Sequence, residues 1–240
     1  MDEKKRLAEA LAPGRKTVFF GGAGVSTESG LRDFRSAGGI YDSPYPFPPE
    51  EMVSRGYFDR DPAGFYDFYR REMVPPPGTR PNAAHRRLAE LEAEGRVIAV
   101  VTQNIDGLHQ AAGSRVVYEL HGSVHRNHCM DCRRPYGLDA VMNGEPVPRC
   151  PVCGGIIKPD VVLYGEMLDD ATVSAAVAAI ERADTLLVAG TSLAVYPAAG
   201  LLRYFNGDCL AVVNLSPTPM DQQADLLIRG KIGEVLDGIR

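Results

Sequence analysis

The residues of this chain best suited to chemistry stand in a row where a core strand stops. Val97 to Val101 is an apolar run, and it passes directly into Gln103, Asn104 and Asp106 within TQNIDGLH. Two amides and a carboxylate can bond hydroxyls, orient a bound group or face a developing positive charge. In open α/β sheets the ligand crevice lies beyond the carboxyl ends of the strands, which is where these three fall. A tight turn or helix cap is the plainer use of Asn and Asp, and a single polar residue would suit it. Three polar residues so close together call for partners elsewhere in the chain.

Sulfur offers a second chemistry. Cys129 and Cys132 form one C-x-x-C and Cys150 and Cys153 another, with 17 residues between the pairs, the spacing of a four-cysteine zinc site. Four thiolates complete a tetrahedron with no open position, so one such zinc per chain is structural. Two disulfides or a redox dithiol are the competing uses, and paired spacing in a reducing compartment disfavours both. His125 and His128 lie nearby as spare ligands, but with four cysteines available they are expected at the surface. Cys209, in mid-strand, reads as a small core residue.

The third group is FFGGAGVSTESGLRDFRS, Phe19 to Ser36. A strand ends there in Gly21, Gly22, Ala23 and Gly24, small residues that let backbone N–H groups approach a pyrophosphate. As a plain dinucleotide fingerprint it is weak, because Thr27 stands where a third glycine belongs and no acidic ribose ligand follows about 20 residues on. Asn214, ending a later strand in NLSPTP, offers an amide to ribose hydroxyls instead. Gly190, Thr191 and Ser192 in AGTSLAVYP present backbone and hydroxyl groups after another strand.

Short apolar runs must position these groups. Lys16 to Phe20, Val97 to Val101, Arg115 to Leu120, Asp184 to Gly190, Cys209 to Leu215 and Ala224 to Ile228 are rich in Val and Leu and mostly apolar on both faces, the mark of a covered parallel sheet. Helices are expected at Glu3 to Leu11, Ala83 to Glu94, Asp170 to Ala183, Ala198 to Phe205 and Ile232 to Ile239. Strand then helix, repeated, implies an α/β fold: a Rossmann-like doubly wound parallel sheet with a smaller inserted domain containing the zinc site. Ser36 to Pro81 and Gly122 to Asp160 break the rhythm. The expected division is a Rossmann-like domain of residues 1–35, 82–121 and 161–240, and a small helical and zinc-binding domain of 36–81 and 122–160.

Composition excludes several classes. The 240 residues are 45% hydrophobic and 24% charged, enough apolar material for a large core and too much for a disordered chain. A net charge of -5 lacks the basic footprint of a direct nucleic-acid binder. No apolar run approaches the ~20 residues of a membrane span, and MDEKKRLAEALAPG lacks the apolar centre of a signal peptide. A cytoplasmic monomer with no nucleic-acid or membrane partner is the expectation.

In order along the chain, GAGVSTESGLRDFRS, TQNIDGLH, HGSV, the two C-x-x-C pairs, KPDVVLYGE, GTSLAVYPA and VVNLSPTP resemble the sirtuins, the NAD-dependent protein lysine deacylases, from about Thr17 to Ile232. The resemblance implies a deacetylase that transfers the acetyl group of acetyl-lysine in a protein or peptide to ADP-ribose, releasing nicotinamide, O-acetyl-ADP-ribose and free lysine. NAD is the co-substrate. Carried over by position, catalysis falls to His121 and Asn104. Cofactor contacts fall to Gly22, Ala23, Gly24, Thr27, Asp33, Phe34 and Arg35, to Gln103, Asn104, Ile105, Asp106 and His121, and to Gly190, Thr191, Ser192, Asn214, Leu215 and Ile232. Peptide contacts fall to Val162, Leu163, Tyr164, Gly165, Glu166, Val195 and Tyr196, with the substrate as the middle strand between two edges.

His121 is implied as the base that takes a proton from a ribose hydroxyl. A histidine satisfied by backbone at a strand end is the commoner fate, and it is kept for His85 and His109. Two departures stand out: Arg32 where the family usually has proline, expected to alter the mobility of the cofactor loop, and Tyr164 where phenylalanine is common. Sirtuins that prefer succinyl or malonyl groups carry Tyr-x-x-Arg; here Tyr66 is followed by Tyr69 at the arginine position. Arg70, one residue on, is rotated by about 100° on a helix. An uncharged acyl group is therefore expected. Protein mono-ADP-ribosyl transfer and removal of longer uncharged chains use the same bond cleavage and stay open. A dehydrogenase would keep the acidic ribose ligand, and a zinc-ribbon adaptor would leave TQNIDGLH unused.

Overall fold

The computed structural model describes residues 3–239. Its strands are β1 (Thr17–Gly21), β2 (Val97–Thr102), β3 (Val117–Glu119), β4 (Gly122–Cys129), β5 (Pro135–Tyr136), β6 (Ile157–Val161), β7 (Thr185–Ala189), β8 (Cys209–Val213) and β9 (Leu226–Ile228). The α-helices are α1 (Glu3–Ala10), α2 (Pro49–Met52), α3 (Arg55–Arg60), α4 (Pro62–Phe68), α5 (Ala83–Ala93), α6 (Leu108–Ala112), α7 (Asp139–Met142), α8 (Asp170–Glu181) and α9 (Ile232–Leu236).

Six strands form one sheet in the order β3-β2-β1-β7-β8-β9, every pair parallel. Because side chains alternate along a strand, β1 sends Phe19 to one face and Val18 and Phe20 to the other, and both faces are covered. Leu7 of α1, Leu88 and Leu91 of α5 and Val235 of α9 pack on the Phe19 face. Ala176 and Ile180 of α8, with Leu201 and Leu202, pack on the other. The strand order runs outward in opposite directions from β1, so the loops after β1, β2 and β7 diverge at one point. Gly21 lies level with Thr102 on one side and Ala189 on the other, which brings the three loops to one crevice.

A separate antiparallel sheet, β5-β4-β6, carries the cysteine pairs. Its core joins Phe58, Phe65, Tyr66, Phe68 and Tyr69 to Val124, Ile157, Val161 and Leu163. The sequence reading has no strand in Gly122–Cys129, since GSVHRNHC lacks clean alternation; a register irregularity between Ser123 and Asn127 accounts for that. Ala198–Tyr204, expected as an α-helix, is a 3-10 helix. Gly200 in its middle weakens the α-helical preference there. Among the described residues, no helix is long and apolar enough to cross a membrane.

Gly122 links the two sheets and immediately follows His121. Its φ is +76°, and a Cβ there would lie 1.9 Å from the Asp160 carbonyl oxygen. Gly144, with φ +88° and nothing within 4 Å, isolates the cost of the dihedral alone. Gly144→Ala should lose about 1–2 kcal/mol, a few degrees in thermal midpoint. Gly122→Ala should lose clearly more, because the β4–β6 pairing must open; equal losses in thermal unfolding would show that the close approach is not limiting.

Candidate functional site

The crevice is built first by backbone. Gly24 N–H donates to the Gly190 carbonyl at 2.8 Å, and Gln103 N–H donates to the Gly21 carbonyl at 2.9 Å. A Cβ on Gly24 would fall 2.8 Å from Gly190 O, and one on Gly190, at φ +58°, would fall 2.4 Å from Val25 N. Only glycine permits this approach. Gln103 Nε2 then donates to Thr191 Oγ1 at 3.0 Å, an oxygen that also accepts the Leu193 N–H at 3.1 Å. Thr27 turns its hydroxyl to the Gly24 carbonyl, 2.9 Å, and so closes the glycine turn.

Below that backbone contact lies a buried polar chain. Asn104 Nδ2 donates to Ser26 Oγ at 3.1 Å, and Ser26 Oγ donates to Asp106 Oδ2 at 2.6 Å. Asp106 Oδ1 accepts the Leu108 N–H at 2.9 Å, the turn expected as the plainer role for this residue. Burial pushes the Asp106 carboxyl above its ordinary range, and the Ser26 and Leu108 bonds partly hold it down. The chain fixes the loop after β2 against the loop after β1 and leaves the Asn104 carbonyl oxygen directed by its own tethered amide. Ile105 joins in through its carbonyl, which accepts the Val124 N–H of β4 at 3.0 Å.

His121 stands between β3 and β4, half-buried. Its Nδ1 lies 3.0 Å from the Gln103 carbonyl oxygen. A carbonyl can only accept, so Nδ1 carries the hydrogen and Nε2 keeps its lone pair. Burial pushes the His121 pKa below the ordinary histidine value, and the carbonyl bond partly restores it. A neutral imidazole with an available Nε2 is what a general base requires. The His121 carbonyl in turn accepts the Val162 N–H at 3.0 Å, so His121 and the segment Val162–Glu166 are tied together. That segment is held from behind. Glu166 accepts the Leu163 N–H and the buried Lys158 ammonium, Lys158 also donates to the Val161 carbonyl, and Tyr164 pairs by its backbone with Val53 and Arg55.

The remaining candidates are less convergent. Asp33 caps Ser36, Phe34 meets Tyr41 edge-on at 6.2 Å, and Arg35 lies over the same Tyr41 ring at 5.1 Å. Ser192, Leu215 and Tyr196 are exposed and Val195 half-buried; Gly22 and Ala23 lie in the glycine turn beside Thr191. Asn214 donates its amide to its own loop, at the Ser216 carbonyl, 2.8 Å away. The Ile232 side chain is in the core at the start of α9, where Gly233 N–H donates to Glu28. Ser26, Glu28 and Lys158 are absent from the sequence-derived set. Ser26 and Glu28 lie inside a quoted motif but meet partners 78 and 205 residues away, to which nothing local points, whereas Lys158 and its partner Glu166 are the two ends of KPDVVLYGE, a pairing of opposite charges that the sequence could have suggested.

The four cysteine sulfurs lie within 4.8 Å of one another, with Cys129–Cys153 at 3.4 Å and Cys132–Cys150 at 3.7 Å. A disulfide holds sulfurs about 2.05 Å apart, and a zinc tetrahedron with bonds of about 2.3 Å places them about 3.8 Å apart. The cluster fits one structural zinc. Each pair is a tight knuckle: Arg133 N–H donates to the Cys129 carbonyl at 3.0 Å and Gly154 N–H to the Cys150 carbonyl at 2.8 Å. His125 instead turns Nε2 to the Asp106 carbonyl, 3.1 Å. Along β6, the pairings of Ile157 with Cys129 and of Val161 with Gly122 lie four steps apart, about 13 Å at ~3.3 Å per residue, so the cysteine cluster is well outside bonding reach of His121.

Tyr69 opens a π-helical turn, Tyr69–Met73. Its ring is fully buried and stacked on Phe65 at 5.6 Å, with the hydroxyl unpartnered. Arg70 donates to the carbonyls of Val141 at 2.7 Å and Glu145 at 2.5 Å and covers the Tyr66 ring. Its charge is therefore committed to the chain around α7.

The chain is similar over nearly its whole length to known proteins. The Sir2 family model matches residues 22–197. An NAD-dependent protein deacetylase of Clostridium acetobutylicum is 52% identical, covering 100% of this chain and 98% of that protein. A solved Sir2 enzyme is 42% identical over 99% of this chain and 96% of its own, with a TM-score of 0.89. Another Sir2 structure, a histidine-to-alanine variant with deacetylated p53 peptide and 3′-O-acetyl-ADP-ribose, is 38% identical over 97% of this chain and 95% of its own, again with a TM-score of 0.89.

Zinc stripped by a chelator, or a Cys150→Ser substitution, should release the metal and unfold the β4–β5–β6 lobe, with loss of soluble protein. Metal analysis should return one zinc per chain for the wild type. A folded Cys150→Ser protein with full zinc would contradict the four-thiolate assignment.

Proposed function

The chain belongs to the Sir2 family, and on that premise we propose that the crevice at the ends of β1, β2 and β7 carries out NAD-dependent deacetylation of lysine in protein or peptide substrates. The observation that carries this reading is His121, held by the Gln103 carbonyl as a neutral base with Nε2 open. The glycine turn with Thr27 and the loop Asp33–Arg35 receive NAD. Gly190, Thr191, Ser192, Asn214, Leu215 and Ile232 complete its contacts, and Gln103, Asn104, Ile105 and Asp106 border the nicotinamide ribose.

The acetyl oxygen of the bound lysine attacks the anomeric carbon as nicotinamide leaves. The developing oxocarbenium character is met by prearranged amide oxygens, Asn104 among them. His121 Nε2 then takes the proton of a ribose hydroxyl, whose oxygen attacks the imidate carbon. Water completes the exchange, and O-acetyl-ADP-ribose and free lysine depart. The peptide lies extended between Val162–Glu166 and Val195–Tyr196, bonding by backbone, so affinity needs little side-chain sequence. The two-domain division expected from sequence belongs to the same proposal, with the peptide between the lobes. We further infer a cytoplasmic monomer.

An uncharged acyl group follows from Tyr69 and Arg70. A buried carboxylate needs a paired cation. Arg70 donates instead to Val141 and Glu145. In one peptide sequence, kcat/KM for acetyl-lysine should exceed that for succinyl-lysine at least ~10-fold, or 1.4 kcal/mol; parity would sink the reading.

His121→Ala should abolish deacetylation and retain NAD binding, with product formation followed by mass spectrometry. The pH profile gives a second check. A lowered pKa keeps His121 neutral, and so competent, to more acid pH than a free histidine. The acid limb of kcat/KM should therefore lie below about 6.5. A limb at or above that value would assign the titration to another group.

A further inference from the structure

Arg32 has no part in the chemistry above, yet its guanidinium meets four partners, the Gly38 and Gly39 carbonyls, Ser43 and Glu72. Nε donates to the Gly38 carbonyl at 3.0 Å, and one terminal nitrogen donates to both the Gly39 carbonyl at 2.5 Å and Ser43 Oγ at 2.7 Å. The other terminal nitrogen pairs with Glu72 at 3.0 Å. Glu72 is only 9% exposed and also accepts the hydroxyl of Tyr45, whose ring packs edge-on against Phe68 at 4.9 Å. Burial, then the Glu72 carboxylate, pushes the Tyr45 hydroxyl up to about 12, so Tyr45 remains a donor at neutral pH.

These contacts close a loop on itself. Ile40 N–H donates to the Asp33 carbonyl at 2.9 Å and Tyr41 N–H to the Phe34 carbonyl at 3.0 Å, so Asp33, Phe34 and Arg35 form one side of a knot whose other side is Gly39–Tyr41. Gly39 sits so tightly that a Cβ would fall 2.7 Å from Ser36 O. Two carbonyls in this knot, Gly38 and Gly39, turn to Arg32. A planar fork with five fixed donors can satisfy two carbonyls, a hydroxyl and a carboxylate together; a lysine cannot.

We propose that Arg32 is a positioning residue that clasps Asp33–Ser43 shut and anchors it, through Glu72, to the π-helical turn of the small lobe, so that the NAD-facing residues are arranged before NAD arrives. This rests on the reading of Asp33–Arg35 as cofactor contacts. Preorganisation of this kind lowers the ordering cost of binding and leaves the chemical step alone.

The test compares wild type with Arg32→Met, Arg32→Lys and Glu72→Gln in the full chain. Arg32→Met should speed hydrogen exchange at the Ile40 and Tyr41 amides and raise KM for NAD about tenfold, with kcat at saturating NAD within about twofold and KM for the acetylated peptide unchanged. Arg32→Lys should restore little, and Glu72→Gln should shift KM for NAD in the same direction by less. A merely structural role would lower kcat and raise both KM values together, and that outcome overturns the proposal. So does an unchanged KM for NAD in Arg32→Met, whatever the amides do. The exchange arm needs no cofactor: a wild-type protein inert toward NAD and acetylated peptide would sink the deacetylase reading, whereas an active wild type with unperturbed amides in Arg32→Met would sink the clasp alone.

Discussion

The contact between Gly24 and Gly190 governs the rest of the molecule. Two backbones that touch through an N–H···O bond of 2.8 Å leave no room for a side chain between them, and the loops after β1 and β7 meet edge to edge. That distance lets Gln103 reach Thr191 and lets Ser26 lie between Asn104 and Asp106. Widening it by one methyl group would part the glycine turn from its neighbour and strand several buried polar groups, each costing about 1–3 kcal/mol when left unpaired.

Buried polar groups near the crevice follow two regimes. Asn104, Ser26 and Asp106 are linked in a chain that ends on the Leu108 N–H, which makes the loop after β2 rigid. Behind it, His85 and His109 meet edge-on at 4.7 Å. Burial pushes His85 down to about 4 and His109 down to about 3, so both are neutral. His85 spends Nδ1 on the Asn82 N–H of the cap of α5, while both nitrogens of His109 have no partner. Asn82 donates onward to the Val25 carbonyl, which links the helix cap to the glycine turn.

The cysteine cluster and His121 lie at opposite ends of β4, with His121 just before the strand and Cys129 closing it. A zinc bound there would act through the fold: it would hold the far end of β4, whose near end pairs Gly122 with Val161, next to the segment Val162–Glu166. A closed thiolate site is suited to this, as it has no open position for a reactive ligand.

The sequence by itself determined what repeats or is local. The six parallel strands were legible because each is a short, mostly apolar run, buried on both faces except at the half-buried edge strand β3, and the zinc set because C-x-x-C turns carry their ligands at fixed spacing. The crevice residues after β1, β2 and β7 were legible as glycines and amides at strand ends. Tertiary structure alone decided the tautomer of His121, set by a carbonyl 18 residues away, and the place of Ser26 between two partners some 80 residues on. It alone turned Arg70 toward the Val141 and Glu145 carbonyls and Arg32 into its own loop. Periodicity reports which face of an element is buried. It carries no information about which distant donor meets which acceptor, because that pairing is fixed only when the loops close.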